Sequence, residues 1–456
     1  MTLMWKTLRG ATGYSDLVER LRKAVEGGEL PHGARLPSHR RLAYDLKLAI
    51  GTVTRAYQVA EREGLIVSYV GRGSFVASPG ASSRGRRHQK DPSAEIDLSL
   101  DEPLEALNPS LDGIMRSISE DRLGNTLSEY HNTGWAARHR ETGAQWIERF
   151  GYRVSPDAVV VCAGAQHAIL CSLAAACRTG DVVLVEELSY PGFRGVVEML
   201  GLRAEPVRVD SHGIVPAAIE EACSKSSPRA LYVTPSVQNP TNCQLNAARR
   251  ARTAELAERH DFAIVEDDVR PRSVLPAPAP IAALIPERTF FIGGVSKTLG
   301  GGLRTAFLAV PECRRKSVPT AVWASIYMAS PVSAEIVSRL VESGIADRTA
   351  EAKEQEAKRR RALAERYLGH LDLRTHVGST TAWLPLPQGW TNAAAVTSVR
   401  DKGVSMTSAD GFWNGRTPPP NAVRLSIGAP RTAELLETAL ARIADSLSST
   451  RNRVGL

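Results

Sequence analysis

The sequence predicts two unlike units in one chain: a small helical module ending in a hairpin, then a large α/β domain on a mainly parallel sheet with a smaller C-terminal α+β lobe. Three observations carry this. The chain has 456 residues, more than one ordinary core can use. Its charge is lopsided: residues 1–90 hold 16 Lys and Arg against 7 Asp and Glu, whereas the whole chain nets +8, so everything after residue 90 nets −1. From residue 158 onward, short apolar runs alternate with helical ones, the pattern of βα units. A hydrophobic content of 43% with 23% charged residues excludes the membrane and disordered classes. Met1–Gly10 shows no apolar leader. The six cysteines (162, 171, 177, 223, 243 and 313) show no Cys-x-x-Cys spacing. Both features predict a reduced, cytoplasmic protein.

The excess positive charge at the N-terminus is the footprint of a polyanion-binding module. Leu17, Val18, Leu21 and Val25 recur at helical spacing over Tyr14–Val25, and Gly27-Gly28 stops the helix. Leu36-Pro-Ser38 opens a second, short helix, with Ser38 as N-cap and Leu42, Ala43 and Leu46 facing inward. A third runs over Thr52–Glu63, burying Val53, Ala56, Tyr57 and Ala60 and turning Thr52, Thr54, Arg55 and Gln58 outward. Leu65–Val70 and Ser74–Ala77 read as strands around the turn Gly71-Arg-Gly73. This order resembles the GntR-type winged helix-turn-helix. The matching text is Gly33–Ala43, Thr52–Tyr57, Glu63–Ile66 and Gly71–Val76. The resemblance implies double-stranded DNA as partner, with Arg35, Ser38, Arg40, Arg41, Thr52, Thr54, Arg55 and Arg72 as contacts. The module spans 1–77. A linker follows over 78–95, rich in Pro, Gly and Ser and carrying Arg84, Arg86, Arg87 and Lys90.

In the remaining domain, 96–456, strands are expected at Ala158–Cys162, Asp181–Val185, Ala230–Val233, Phe262–Val265, Thr289–Ile292 and Thr305–Val310. A helix is expected at Gln166–Cys177. After about residue 325 the pattern changes to long helices (Pro331–Ser343, Ala350–Leu368) and short strands (Ala382–Leu386, Val423–Ile427), which sets the smaller lobe at about 325–456. The most informative segment is Gly293–Arg304. Lys297 follows an apolar strand and precedes three glycines, and Arg304 adds a second cation. An amine placed to attack an aldehyde beside an anion-binding cation implies pyridoxal 5'-phosphate (PLP).

Several pieces resemble fold-type I PLP-dependent transferases, specifically class I/II aminotransferases. Cys162-Ala-Gly-Ala-Gln166 is a strand–glycine–helix junction suited to a phosphate, through Gly164, Ala165 and Gln166. Tyr190 offers a ring to stack on the pyridine, and Asn239, in Thr234–Thr241, a donor for its phenolic oxygen. Asp267, in Ile264–Asp268, would keep the ring nitrogen protonated. Ser296, Lys297 and Arg304 give the Schiff base and phosphate partners. Arg424 stands where the family grips a substrate carboxylate. Tyr130, before Asn132-Thr-Gly134, matches a tyrosine that in the family reaches the neighbouring subunit's phosphate, which implies a head-to-tail homodimer.

A GntR-type module joined to such a domain is similar to the MocR-type transcription regulators. That resemblance implies a large domain that binds PLP and senses a small amine or amino acid, or PLP itself. Four departures point to a sensor more than to an efficient enzyme. Val269 and Arg270 occupy the positions of the family's tyrosine after Asp267. Asn242 stands for the Gly after Asn-Pro-Thr, Gly294 for a hydroxyl residue, and Trp135 for a small residue near Gly134. The leading reading is a regulator that senses its effector by aldimine exchange at Lys297. The alternatives are an aminotransferase with a DNA-binding appendage, and a repressor whose second domain only dimerises.

Overall fold

The computed structural model describes residue 8 and residues 10–27, 29–30, 34–62, 65–69, 73–76, 95–130, 133–269 and 278–448. The expected wing-tip contact Arg72, the basic linker residues and Arg270 lie outside these, as does the Trp135 side chain.

Three helices, α1 (Tyr14–Glu26), α2 (His39–Leu46) and α3 (Ile50–Arg62), precede an antiparallel hairpin of β1 (Ile66–Tyr69) and β2 (Gly73–Val76). Their apolar stripes meet in one core containing Leu17, Leu21, Leu42, Val53, Tyr57, Ile66 and Val76. Ser38 caps α2 as expected, accepting from the Arg41 amide at 3.3 Å. α3 begins two residues before the expected Thr52. The Tyr57 hydroxyl donates to the Pro37 carbonyl at 2.9 Å, which ties α3 to the approach of α2.

Next come β3 (Ile96–Asp97), β4 (Val159–Cys162), β5 (Val182–Glu186), β6 (Arg203–Val207), and the short pair β7 (Val209–Asp210) and β8 (Gly213–Ile214). They are followed by β9 (Ala230–Val233), β10 (Ala263–Asp268), β11 (Thr289–Gly294) and β12 (Ala306–Ala309). Seven of these strands form one sheet in the order β4-β12-β11-β10-β9-β5-β6. Only β12 runs antiparallel to its neighbours. Helices cover both faces, so the central strands are apolar on both sides, as in buried parallel sheets, except where β10 ends in the buried Glu266, Asp267 and Asp268. The edge strand β6 carries no strand pattern in sequence. Its Arg203, Glu205 and Pro206 suit an edge, where charge and proline discourage further pairing.

The smaller lobe holds an antiparallel sheet of β13 (Ala382–Pro385), β16 (Ala422–Leu425) and β15 (Thr407–Ser408), in that order. Beside it, β14 (Val404–Ser405) pairs with β3. The lobe's composition differs from the expected 325–456 in two places. Ile96 and Leu98 join its core, whereas the helix Pro331–Glu342 packs with Trp146, Phe291 and Phe307 of the large lobe. β3 is too short to show an alternation, and the period of Pro331–Glu342 carries no sign of the lobe it packs against. Among the described residues no helix is long and apolar enough to cross a membrane.

Candidate functional site

The parallel strands end on one side of the sheet, where open α/β folds bind ligands. β4 ends in Cys162-Ala163-Gly164, β9 leads to Asn239, β10 ends at Asp267-Asp268, and β11 leads into Lys297. A cavity of about 310 Å³ lies there. Its walls include Ala165, Gln166, Tyr190, Asn239, Asp267, Ser296, Lys297, Arg304 and Arg424. Nine expected site residues, from six separate stretches of chain, thus meet in one place.

The residues fit PLP. Gly164 has φ +85°, and a Cβ there would stand 2.5 Å from Arg304 Nη2, so only glycine lets this guanidinium lie against the phosphate-binding turn. The helix Ala165–Ala176 starts at that turn and points its free amides toward the same place. Asp267 is buried, and Tyr232 donates to its Oδ2 at 2.7 Å. Its Oδ1, equally buried, has no partner among the described residues, which suits a protonated ring nitrogen. Burial raises the Asp267 carboxyl to about 6. The Tyr232 hydroxyl opposes this, the Asp268 carboxylate adds to it, and Lys297 opposes it. Burial also raises the Tyr190 phenol.

The loop carrying Asn239 is held from beneath. Glu186, fully buried at the end of β5, accepts from the Thr234 amide (3.3 Å), the Thr234 hydroxyl (3.1 Å) and Gln238 Nε2 (3.3 Å). Gln238 Oε1 in turn accepts from the Thr241 amide at 2.9 Å. Arg250, also fully buried, donates to the Pro235 carbonyl at 3.0 Å and lies 3.7 Å from Glu266. Burial lifts both Glu186 and Glu266 to about 7, against these donors.

Two departures have structural reasons. Asn242 has φ +62°, a left-handed conformation that Asn tolerates better than most residues. Its side chain crosses to the smaller lobe: Nδ2 donates to the Thr381 carbonyl at 2.8 Å, and Oδ1 accepts from the Thr381 hydroxyl at 3.2 Å. Gly294 is filled from outside. A Cβ there would lie 2.8 Å from Val269 Cγ1, so the valine replacing family chemistry after Asp267 excludes a side chain at 294.

Three neighbours carry no signal in the sequence. Asp101 reaches Lys297, with Oδ2 at 2.8 Å from Nζ and its carbonyl accepting from Nζ at 2.6 Å. Tyr232 looked like an ordinary strand residue. Ser99 accepts through its carbonyl from Arg424 Nη2 at 2.6 Å, while Arg424 Nη1 donates to Asn239 Oδ1 at 3.2 Å. Tyr130 is not brought to this cavity. It is 75% exposed and packs edge-on against Tyr327 with ring centroids 5.2 Å apart. Beneath the phosphate turn, Cys162, His167 and Cys171 place ligating atoms within 4.8 Å of one another. The Ala163 amide donates to His167 Nδ1 at 3.1 Å, leaving the ring proton on Nε2, which faces Cys171 and Ser325. That is a hydrogen-bonded core cluster.

In the N-terminal module, Arg35, Ser38, Arg40, Arg41 and Arg55 are exposed and Thr52 and Thr54 half-exposed. Arg41 pairs with Asp45 at 3.0 Å, His39 Nδ1 lies 3.2 Å from the Thr54 hydroxyl, and the Arg55 guanidinium stacks on Tyr14 at 4.2 Å. Tyr44, 80% exposed on α2 one turn beyond Arg40 and Arg41, was not anticipated.

Comparison with known proteins accounts for both units. Residues 94–443 match the family described as aminotransferase class I and II, and residues 13–76 the bacterial regulatory proteins of the gntR family. The chain is 29% identical over 432 residues to the uncharacterized HTH-type transcriptional regulator YdeF of Bacillus subtilis, covering 94% of this chain and 92% of that protein. It is 26% identical over 452 residues to the HTH-type pyridoxine biosynthesis transcriptional regulator PdxR of Corynebacterium glutamicum, covering 95% and 96%. The solved Pyrococcus horikoshii kynurenine aminotransferase superposes with a TM-score of 0.71 at 22% identity, over 77% of this chain and 90% of that one. The chain therefore belongs to the class I and II aminotransferase family and, through its GntR-type N-terminus, to the DNA-binding transcription regulators of the MocR type, with pyridoxal 5'-phosphate as cofactor.

Proposed function

We propose that this regulator binds PLP covalently through Lys297 and responds to a small amine or amino acid that displaces the Lys297 amine. The observation that carries this is the cavity itself, whose walls come from both lobes. Lys297, Asp267 and Arg304 belong to the large lobe, while Arg424 and the Ser99–Asp101 segment come with the smaller one. The cofactor supplies an aldehyde carbon at which amines exchange. Asp267 holds the ring nitrogen's proton, Asn239 orients the phenolic edge, Tyr190 covers the ring, and Gly164, Ala165, Gln166, Ser296 and Arg304 hold the phosphate. Arg424 is available to an effector's carboxylate once it leaves Ser99 and Asn239. Exchange changes what bridges the two lobes and so biases a two-state equilibrium between DNA-binding geometries. Tyr130, exposed beside Tyr327, supports a head-to-tail homodimer in which it reaches the partner's phosphate. DNA is read by α3 and the basic start of α2, in the cytoplasm.

The test is spectroscopic. The wild type should show a visible cofactor band that borohydride fixes on Lys297, and Lys297→Ala should lose both. A colourless protein with full effector response would sink the proposal. A second reading, that PLP itself is the signal, is favoured by the similarity to PdxR, a transcriptional regulator of pyridoxine biosynthesis. It predicts that PLP alone changes operator affinity and that added amines do nothing more.

A further inference from the structure

We propose that Asp101 sets the class of effector. The pocket admits aliphatic amines that carry no carboxylate beside the reacting nitrogen, and it rejects α-amino acids. The inference rests on the exchange reading above.

Lys297 Nζ marks where the reacting nitrogen stands. Asp101 Oδ2 lies 2.8 Å from that point, and the Asp101 carbonyl lies 2.6 Å from it. An effector amine attacks the same carbon and so takes the same place. Its α-carbon is then one bond from the nitrogen, and an α-carboxylate carbon two bonds. Two bonds reach about 2.5 Å, so an α-amino acid brings a second carboxylate carbon to no more than about 5 Å from Asp101 Oδ2, which is 2.8 Å from that nitrogen. Like charges at that range oppose each other strongly in a half-closed site. The cation that would offset this is already engaged. Arg424 gives Nη2 to Ser99 and Nη1 to Asn239, and its guanidinium lies 4.8 Å from the Phe412 ring centroid. Binding an α-carboxylate would require breaking those contacts, whereas an amine lacking one leaves them in place.

Asp101 also favours the amine. With PLP bound, Arg304 would face its phosphate and Lys297 would hold it through a C–N bond and no longer be an ammonium. The Asp101 carboxylate then faces an incoming ammonium. In the exchange, the effector's nitrogen forms its bond to the cofactor carbon as the Lys297 C–N bond breaks. The incoming ammonium gives up two protons, one to free its lone pair and one after the bond forms, and the departing Lys297 nitrogen takes up two and leaves as an ammonium, so no oxidant or reductant is needed. Asp268, buried on the same wall, adds negative charge of the same sense.

The experiment uses the full chain loaded with PLP. Propylamine and putrescine are titrated against alanine and glutamate, with the visible spectrum and the mass of the borohydride-trapped adduct as readouts. The amines should release Lys297 at concentrations at least tenfold below the amino acids. Asp101→Asn and Asp101→Ser should close that gap tenfold or more by improving the amino acids, while Asp101→Glu should keep it. Equal response of the wild type to propylamine and alanine would overturn the proposal, as would an unchanged ratio in both neutral variants. If borohydride fixes the cofactor on Lys297 yet neither set of compounds releases it, the exchange reading itself fails and this proposal with it.

Discussion

Asp267 shows how one residue's surroundings define what it can hold. Its folded carboxyl sits at about 6 against an ordinary 3.8, so the folded, cofactor-free protein binds its proton more tightly than the unfolded chain. Stability from this group is therefore lost as pH rises from about 4 to about 6. A positively charged partner at Oδ1 would remove that cost. Asp267→Asn, which can keep the Tyr232 contact, should make the cofactor-free protein more stable at pH 7.5 by about 1–3 kcal/mol and leave it unchanged near pH 4. It should also weaken PLP binding at least tenfold. Urea denaturation at both pH values and an absorbance titration check this, and a variant less stable at pH 7.5 would reject it. Gly294 invites the opposite experiment. Gly294→Ser returns the family's hydroxyl but drives its Cβ into Val269, at an expected cost of about 1–3 kcal/mol. Val269→Ala should recover most of that in a double-mutant cycle, whereas additive losses would rule out the steric coupling.

At the scale of elements, α2 and α3 carry the exposed Arg40, Arg41, Tyr44 and Arg55. Arg55 carries a double role, since its guanidinium covers Tyr14 of α1 as well as facing outward. Arg55→Ala should cost about 1–3 kcal/mol at a specific operator if it reads a base. Equal loss on random DNA would reject base reading, and a matching fall in melting temperature would assign the effect to the Tyr14 contact. Tyr44 has almost no burial to lose, so Tyr44→Ala should leave stability within about 0.5 kcal/mol and still weaken operator binding, measured by fluorescence anisotropy. The elements that were legible kept their apolar periods intact, as in Leu17-Val18-Leu21 and the run of β9. Two that were not legible had no period to show. β3 is two residues long, and β6 is an edge strand whose charges and proline read as a loop.

Over the whole molecule, the site is a seam. Asn242 binds the Asn239 loop to Thr381 of the smaller lobe, and Arg424 binds that same loop and Ser99. Asn242→Gly keeps the left-handed backbone and deletes the side-chain link. It should cost about 1–3 kcal/mol and speed hydrogen exchange at Ser379–Thr381, with the N-terminal module unaffected. Unchanged exchange there would mean that the link does not hold the lobes.

The sequence by itself determined the two-unit architecture and the basic N-terminal module, and it singled out Lys297, Asp267, Asn239 and Arg304, which line one cavity. Local patterns carry that information: helical and strand periods, a glycine-flanked lysine, and charge confined to the first 90 residues. Only the tertiary structure decided what surrounds the lysine. Asp101 lies 196 positions away in sequence and belongs to no motif, and Tyr232 supports Asp267 from a neighbouring strand. The space at Gly294 is filled by Val269 from the adjoining strand end, and the helix Pro331–Glu342 belongs to the lobe it packs against. Contacts of this kind are set by strand order and by which side chains the sheet's carboxyl ends bring together, and periodicity along one chain carries no record of them.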